Sequence, residues 1–182
     1  MSEQRIPPNL RIHNAIDQDV MDAKMNLNLI EKLAEQEKHP QTCIFSEKEQ
    51  ETLMRNCVHT ITLNLTKTIE KPTIHEEKIQ TFNLESLIDS VCHDEDKKPL
   101  REELCKMRGN RIYGKLVEYR HKIIAHRNIE YASQQAIKQV FEECKDYLLK
   151  NRGGIEKLVN RIGSLQMDIK DSRDKKRGLP TV

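Results

Sequence analysis

Apolar residues recur every three or four positions along most of the chain, and this is the period of one face of an α-helix. In the first segment the repeat consists of Ile12, Ile16, Val20, Ala23, Leu27, Ile30 and Leu33. Pro40 follows shortly afterwards, and proline does not continue a helix. The spacing therefore predicts a first helix that ends before Pro40.

The second segment opens with a capping box, because Ser46 and Glu49 have the S-x-x-E spacing in which each side chain bonds the other's backbone N–H. The apolar stripe behind it consists of Leu53, Cys57, Val58, Ile61, Leu65 and Ile69. Because the cap and the stripe agree, we expect a second helix that stops by Pro72.

Two weaker segments follow. A short helix is indicated by Phe82, Leu84, Leu87, Ile88 and Val91. Residues 93–98, with the sequence HDEDKK, are typical of a solvated loop. After Pro99 the pattern predicts a long helical stretch to about Arg127, interrupted or bent near Gly109.

The last part of the chain predicts two more helices. One begins with Ser133 as its N-cap and ends at Gly153 and Gly154 as a glycine C-cap. Its apolar positions are Ile137, Val140, Phe141, Cys144 and Leu148. The final helix carries Ile155, Leu158, Val159, Ile162, Leu165 and Ile169.

Together these segments predict an all-α protein. We found no convincing strand alternation, internal repeat or phosphate-binding glycine loop. The chain has 182 residues, of which 36% are hydrophobic and 4% aromatic, so a second independent core is not expected. We expect a single-domain helical bundle of about five or six helices over residues 10–172, followed by a basic, flexible C-terminal tail over residues 173–182.

The composition also indicates the cellular compartment of the protein. No stretch approaches the roughly 18 apolar residues that a membrane-spanning helix needs, and residues 1–10 lack the apolar run of a signal peptide. We therefore expect a cytoplasmic protein with no membrane partner.

The five scattered cysteines favour reduced thiols over disulfides or a zinc site, and no metal or other cofactor is expected. They are Cys43, Cys57, Cys92, Cys105 and Cys144.

The formal net charge of +2 conceals an uneven distribution. Residues 150–182 contain nine Lys or Arg and four Asp or Glu, a net of +5, so residues 1–149 carry −3. The basic end favours a solubilising terminus, and the alternative is contact with an acidic partner or nucleic acid.

The predicted helix over residues 111–127 places one arginine within a broad apolar arc. On a helical wheel, Arg120 lies between the row of Leu116 and Ile123 and the row of Tyr113 and Ile124. Burying an unpaired guanidinium costs several kcal/mol. We therefore expect one of three arrangements for Arg120: a carboxylate partner from another helix, a buried aliphatic stem with the guanidinium in solvent, or an anionic ligand such as a phosphate.

His126 lies at the edge of the same arc and admits two interpretations, a satisfied core histidine or a proton-transfer group. His121 lies on the predicted solvent face. On a straight helix six residues rotate a side chain by about 120°. Arg120 and His126 would converge only if the helix ended or distorted near Ala125, or if a second subunit completed the site.

The segment YRHKIIAHRN, residues 119–128, resembles the R-x4-6-H motif of HEPN (higher eukaryotes and prokaryotes nucleotide-binding) proteins. Arg120 and His126 are separated by five residues, and His121 fits because the position after the motif arginine is commonly polar in that family. The helical layout and the A-H-R-N ending are most similar to the abortive-infection AbiU-type branch.

The resemblance implies an HEPN-like fold and a metal-independent endoribonuclease that acts as a homodimer, as a toxin or antiphage effector. It assigns Arg120 to the scissile phosphate and His126 to general acid or base catalysis, with a 2′,3′-cyclic phosphate as product. Supporting or RNA-binding roles would fall to His121, Tyr119, Arg127 and Asn128, although Tyr119 could equally be a core aromatic and Asn128 a helix terminator.

Two alternatives remain open. One is a catalytically silent HEPN-like module that binds nucleotide or a partner protein such as a nucleotidyltransferase-type antitoxin. The other is a helical scaffold with no site, in which Arg120 is salt-bridged and His126 is buried. Exposure of both side chains in a dimeric cleft would support the nuclease and the silent module, and burial with a carboxylate would exclude both.

Overall fold

The computed structural model describes residues 8–38, 45–71, 83–91, 94–128 and 134–176. Every regular element within these ranges is a helix, which confirms the all-α bundle. The described helices number seven rather than five or six. They are α1 (Pro8–Lys38), α2 (Glu47–Ile69), α3 (Leu84–Val91), α4 (Asp94–Arg108), α5 (Arg111–Asn128), α6 (Gln134–Lys150) and α7 (Arg152–Lys176).

Helices α1 and α2 form the centre of the bundle. They run antiparallel, because Gln50 donates a hydrogen bond of 2.9 Å to the carbonyl of Leu33 and Lys67 pairs with Asp19 at 2.7 Å. All seven apolar positions predicted for α1 are buried. The α2 stripe is buried too, except that Leu53 is only partly covered. Period-three-and-four spacing thus predicted the core face of both helices correctly.

The capping box at the start of α2 is confirmed. The Glu49 N–H donates a hydrogen bond of 3.4 Å to Ser46 Oγ, and the Ser46 N–H donates one of 2.9 Å to Glu49 Oε2. Two backbone donors at the first turn of the helix are satisfied in this way.

The loop predicted over residues 93–98 is wrong for its described part, because α4 begins at Asp94 and continues through Pro99. His93 lies outside the described residues. Three acidic residues in the first turn stabilise α4 by interacting with the positive end of the helix dipole, and Lys97 pairs with Asp94 at 3.1 Å. Pro99 is the sixth residue of α4, and its missing N–H removes one hydrogen bond from the helix.

The predicted interruption near Gly109 is confirmed and accounts for the additional helix. Helix α4 ends at Arg108, and Asn110 starts α5 by accepting a hydrogen bond of 2.8 Å from the Ile112 N–H through Oδ1. Because Asn110 caps a new helix, α4 and α5 are separate elements.

The glycine C-cap predicted at Gly153 and Gly154 is wrong. Helix α6 ends at Lys150, and both glycines lie in the first turn of α7. A Cβ atom at position 154 would collide with Cδ1 at the end of the Ile112 side chain on α5, so a larger residue there requires that side chain to move. The predicted N-cap Ser133 lies outside the described residues.

Helix α7 continues to Lys176, and residues 177–182 lie outside the described part of the chain. Its predicted apolar positions are all buried. Among the described helices, none has the length and apolar character required to cross a membrane.

Candidate functional site

Helix α5 carries the candidate residues and packs between α2 and α6. Its buried positions are Tyr113, Leu116, Tyr119 and Ile123, whereas Arg111, Gly114 and His121 are exposed. This distribution confirms the predicted helical wheel for residues 111–123. Arg120 lies on the buried side of the boundary, facing the end of α2.

Arg120 forms an ion pair with Glu70 through Nη1. The Arg120 side chain is 19% exposed and that of Glu70 is 26% exposed, so the pair is half-buried and still reached by solvent. Arg120 Nε is buried and donates no hydrogen bond to any residue that the structure describes. The carboxylate partner considered from the sequence is therefore present within one chain, and it is Glu70.

Glu70 occupies the C-cap of α2, where its backbone is extended at ψ 160° and its N–H donates to the carbonyl of Thr66 at 2.9 Å. The Glu70 carbonyl accepts hydrogen bonds from Arg108 Nη2 at 2.8 Å and from Asn83 Nδ2 at 3.3 Å. These contacts fix the main chain of Glu70 from three directions. Its carboxylate remains the part that can change position.

Arg108 holds the same end of α2 from the last turn of α4. Its Nε donates to the carbonyl of Ile69 at 2.7 Å, and its Nη2 also pairs with Glu85 of α3 at 2.6 Å. A cation at a helix C-terminus satisfies free carbonyls and interacts favourably with the helix dipole. Arg108 thereby ties three helices together at the base of the site.

Tyr113 lies beside this cluster on the first turns of α5. Burial raises the pKa of Tyr113, and the charges of Arg108, Glu70 and Arg120 act on it in opposing directions. The phenol is therefore neutral at physiological pH. Two arginines and two glutamates balance in charge around it, since Arg108 pairs with Glu85 and Arg120 pairs with Glu70.

His121 is exposed and stands next to the guanidinium of Arg120. His121 Nε2 lies 3.5 Å from Arg120 Nη2. The structure thus brings together a guanidinium edge and an imidazole nitrogen at the surface, with Glu70 on the other side of the same guanidinium. Two groups of this kind can hold an anion between them.

His126 is not brought to Arg120 by a distortion of α5, because the helix continues without a break through Asn128. Six residues along a regular helix separate the two Cα positions by about 120° of rotation and about 9 Å of rise. The side chains of His126, Arg127 and Asn128 lie outside the described residues. Within one chain the two motif residues start from different faces of α5.

Tyr119 points away from Arg120, towards α6. Its ring packs against Tyr147 at a centroid distance of 5.7 Å, and its hydroxyl donates to the carbonyl of Glu143 at 3.3 Å. Burial raises the pKa of Tyr119. Tyr119 therefore has the packing of the core aromatic that was the alternative to a site role.

Cys57 of α2 and Cys144 of α6 are buried in the core. Burial raises the pKa of Cys57 to about 11 and that of Cys144 to about 12, so both thiols are neutral at physiological pH. Over the described ranges, no three His, Cys, Asp or Glu side chains are grouped so as to hold a metal ion.

Sequence reasoning identified the need of Arg120 for an anionic partner but missed Glu70, Arg108 and Asn83. Glu70 follows the last residue of the α2 stripe and precedes Pro72 by two positions. A carboxylate at a helix C-terminus is unfavourable unless cations surround it, and this was the available signal.

Comparison with known proteins adds no relative to these observations. No protein-family model, curated protein or solved structure matches the chain.

Proposed function

We propose that this protein is a metal-independent endoribonuclease that acts as a homodimer, in the role of a toxin or an antiphage abortive-infection effector. The observation that carries the proposal is the half-buried but solvent-reached guanidinium of Arg120. It stands beside the exposed His121 and six positions before His126 on one helix. The proposal also rests on the resemblance of residues 119–128 to the R-x4-6-H motif.

The reaction is an internal displacement at phosphorus. His126 removes the proton of the ribose 2′-hydroxyl, the 2′-oxygen bonds to phosphorus, and the bond from phosphorus to the 5′-oxygen breaks. The leaving oxygen takes a proton from a second imidazole, and a 2′,3′-cyclic phosphate remains. Arg120 binds the phosphate and stabilises the negative charge that develops on its oxygens.

The regular geometry of α5 supports the part of the proposal that adds a second copy of the chain. The backbone positions of Arg120 and His126 differ by about 120° around the helix, so the two side chains leave α5 in different directions from the backbone. In a dimer, Arg120 of one protomer and His126 of the other can face one cleft. The cytoplasmic setting and a restraining partner, such as a nucleotidyltransferase-type antitoxin, are part of the same proposal.

The ion pair between Arg120 and Glu70 favours a second candidate function. A guanidinium that is already neutralised by a carboxylate can serve the fold alone. In that case the protein is a helical scaffold with no site. A catalytically silent helical module that binds a partner protein or nucleotide instead uses the solvent-reached part of Arg120.

RNA cleavage by purified protein separates these functions. Wild type, Arg120→Ala and His126→Ala are incubated with total RNA in excess EDTA, and Arg101→Ala serves as the control. Arg101 pairs with Asp89 with both side chains 49% exposed, so its removal takes away a surface arginine of α4, outside the motif helix α5.

We expect cleavage by wild type and by Arg101→Ala, with products ending in 2′,3′-cyclic phosphate, and at least a hundredfold loss in both motif variants. Intact RNA with wild type across pH and salt contradicts the nuclease function. Equal cleavage by all four proteins contradicts the assignment of the site.

A further inference from the structure

We propose that Glu70 occupies the phosphate position of the site in the free chain, and that a phosphodiester binds Arg120 and His121 only after the Glu70 carboxylate swings away. This inference rests on the proposed function, since it concerns the regulation of the same site. It assigns to Glu70 the part of an internal competitor for RNA.

The guanidinium of Arg120 has one usable edge. Its Nε is buried and has no acceptor within the described part of the chain, whereas Nη1 pairs with Glu70 and Nη2 lies 3.5 Å from His121 Nε2. A carboxylate and a phosphodiester both offer two oxygens to the planar guanidinium. Because Nε faces the interior, the two anions compete for the edge formed by Nη1 and Nη2.

The Glu70 carboxylate can leave without disturbing the helix end. The main chain of Glu70 is fixed by hydrogen bonds from Arg108 and Asn83 to its carbonyl and from its own N–H to Thr66. None of these bonds uses the carboxylate. Rotation of the side chain alone releases Arg120, and the 26% exposure of Glu70 provides a path to water.

Competition between Glu70 and the bound anion predicts whether a neutral residue at position 70 raises or lowers the affinity for the anion. When the competent state is populated only in a fraction of the molecules, the apparent affinity for the anion falls by that fraction. Glu70→Gln keeps the shape of the side chain and removes the charge, so an anion should bind about tenfold more tightly. If Glu70 instead oriented Arg120 for catalysis, the same substitution would weaken binding or turnover.

Glu85→Gln is a matched control. Glu85 also pairs with an arginine of this cluster, Arg108, and its side chain is 23% exposed compared with 26% for Glu70. Both substitutions remove one negative charge from the same part of the protein. Only Glu70→Gln frees the guanidinium of Arg120.

The first readout does not depend on RNA cleavage. Wild type, Glu70→Gln, Glu70→Asp and Glu85→Gln are treated with phenylglyoxal, and modification of Arg120 is followed by peptide mass mapping with and without inorganic phosphate. We expect Arg120 to react about tenfold faster in Glu70→Gln, phosphate to protect it at lower concentration, and Glu70→Asp to retain most of the wild-type resistance. Glu85→Gln should match wild type. Urea unfolding of each variant shows that it is folded.

The second readout is the initial rate of cleavage of a single-stranded RNA, for which Glu70→Gln should lower KM about tenfold with a smaller change in kcat. Equal Arg120 reactivity in wild type and Glu70→Gln overturns the inference, and so does an equal increase in Glu85→Gln. Cleavage by wild type with a lower kcat in Glu70→Gln also overturns it, while the nuclease function stands. If Arg120 becomes reactive and phosphate-protected but no protein cleaves RNA, the competition stands and the nuclease function fails.

Discussion

Arg108 Nη2 donates a hydrogen bond of 2.8 Å to the carbonyl of Glu70, the residue whose carboxylate pairs with Arg120. The two arginines thus reach one residue through different atoms. Arg108 holds the main chain where α2 ends, whereas Arg120 touches only the side chain. The role of Glu70 in the fold is therefore separable from its role at the candidate site.

Arg108→Ala should lower the free energy of unfolding by about 2–4 kcal/mol. The substitution leaves the carbonyls of Ile69 and Glu70 without this donor and leaves Glu85 unpaired in a position where its side chain is 23% exposed. Urea unfolding at pH 7 measures the change. Arg101→Ala should cost less than about 1 kcal/mol, because the pair of Arg101 with Asp89 is half exposed. Equal losses in the two variants would contradict the capping role of Arg108.

Ser46→Ala should destabilise the protein by about 1 kcal/mol, because the N–H of Glu49 loses its side-chain acceptor. Ser46→Asn retains an acceptor and should stay within a few tenths of wild type. Hydrogen bonds from Ser46 lower the pKa of Glu49, so the stabilisation by the capping box is present above the ordinary carboxyl pKa and is lost as pH falls through the lowered value. Urea unfolding at pH 7 and pH 3 should therefore show a smaller Ser46→Ala effect in acid.

Gly163→Ala should raise the free energy of unfolding by about 1 kcal/mol. Position 163 lies inside α7, and a Cβ atom there meets nothing within 4 Å, so the gain in helix propensity is not offset. Gly154→Ala, in the same helix, should be less stable than Gly163→Ala by at least about 1 kcal/mol, because its Cβ displaces Ile112. Thermal and urea unfolding of both variants test this ranking. A greater gain at position 154 would show that Ile112 moves without cost.

Stability should fall as pH rises above about 9. Burial raises the pKa of Cys57 to about 11 and of Cys144 to about 12 from an ordinary value of 9.0, so both thiols stay protonated in the folded chain. In the unfolded chain they ionise near the ordinary value. The unfolded state then binds fewer protons, and the stabilisation present below pH 9 is lost as pH rises towards the folded values.

Urea unfolding between pH 8 and pH 10 measures this loss, which is about 1 kcal/mol for each thiol. Cys144→Ala should be less stable than wild type at pH 8, because it leaves a small cavity. Its stability should depend less steeply on pH. Parallel curves for the two proteins would contradict the contribution of Cys144.

The elements that were predicted correctly depend on local signals. The stripes of α1 and α2, the capping box of Ser46 and the break at Gly109 are each encoded within a few neighbouring residues. The two wrong predictions concern residue types that often end helices: proline at position 99, and glycine at positions 153 and 154. Whether such a residue ends a helix depends on its distance from the start of the helix and on its contacts with other helices. The spacing of apolar residues along the sequence gives neither.

At the candidate site, too, the sequence predicts the local feature but not the contact between distant parts of the chain. The helical wheel predicts that Arg120 needs an anionic partner, because a charge on an apolar arc is costly wherever the arc packs. It does not identify Glu70, which is 50 residues away in sequence and reaches Arg120 only because α2 ends where α5 passes. The divergence of Arg120 and His126 follows from the regular helix through Asn128, which the sequence left undecided.

This divergence predicts that two inactive variants restore activity when mixed. If Arg120 of one protomer and His126 of the other form each site, a mixed dimer of Arg120→Ala with His126→Ala contains one intact pair. Half of the dimers are mixed after random exchange, and each has one of its two sites intact, so about a quarter of wild-type RNA cleavage should return. Co-expression with two affinity tags isolates the mixed dimer, whose activity should be about half that of wild type. The control is the mixed dimer of wild type with the double variant Arg120→Ala, His126→Ala, isolated with the same two tags, because it contains no intact pair across the interface and is free of wild-type homodimer. No recovery in the first mixture, with full dimer exchange shown by the tags, would place both residues of each site on one chain.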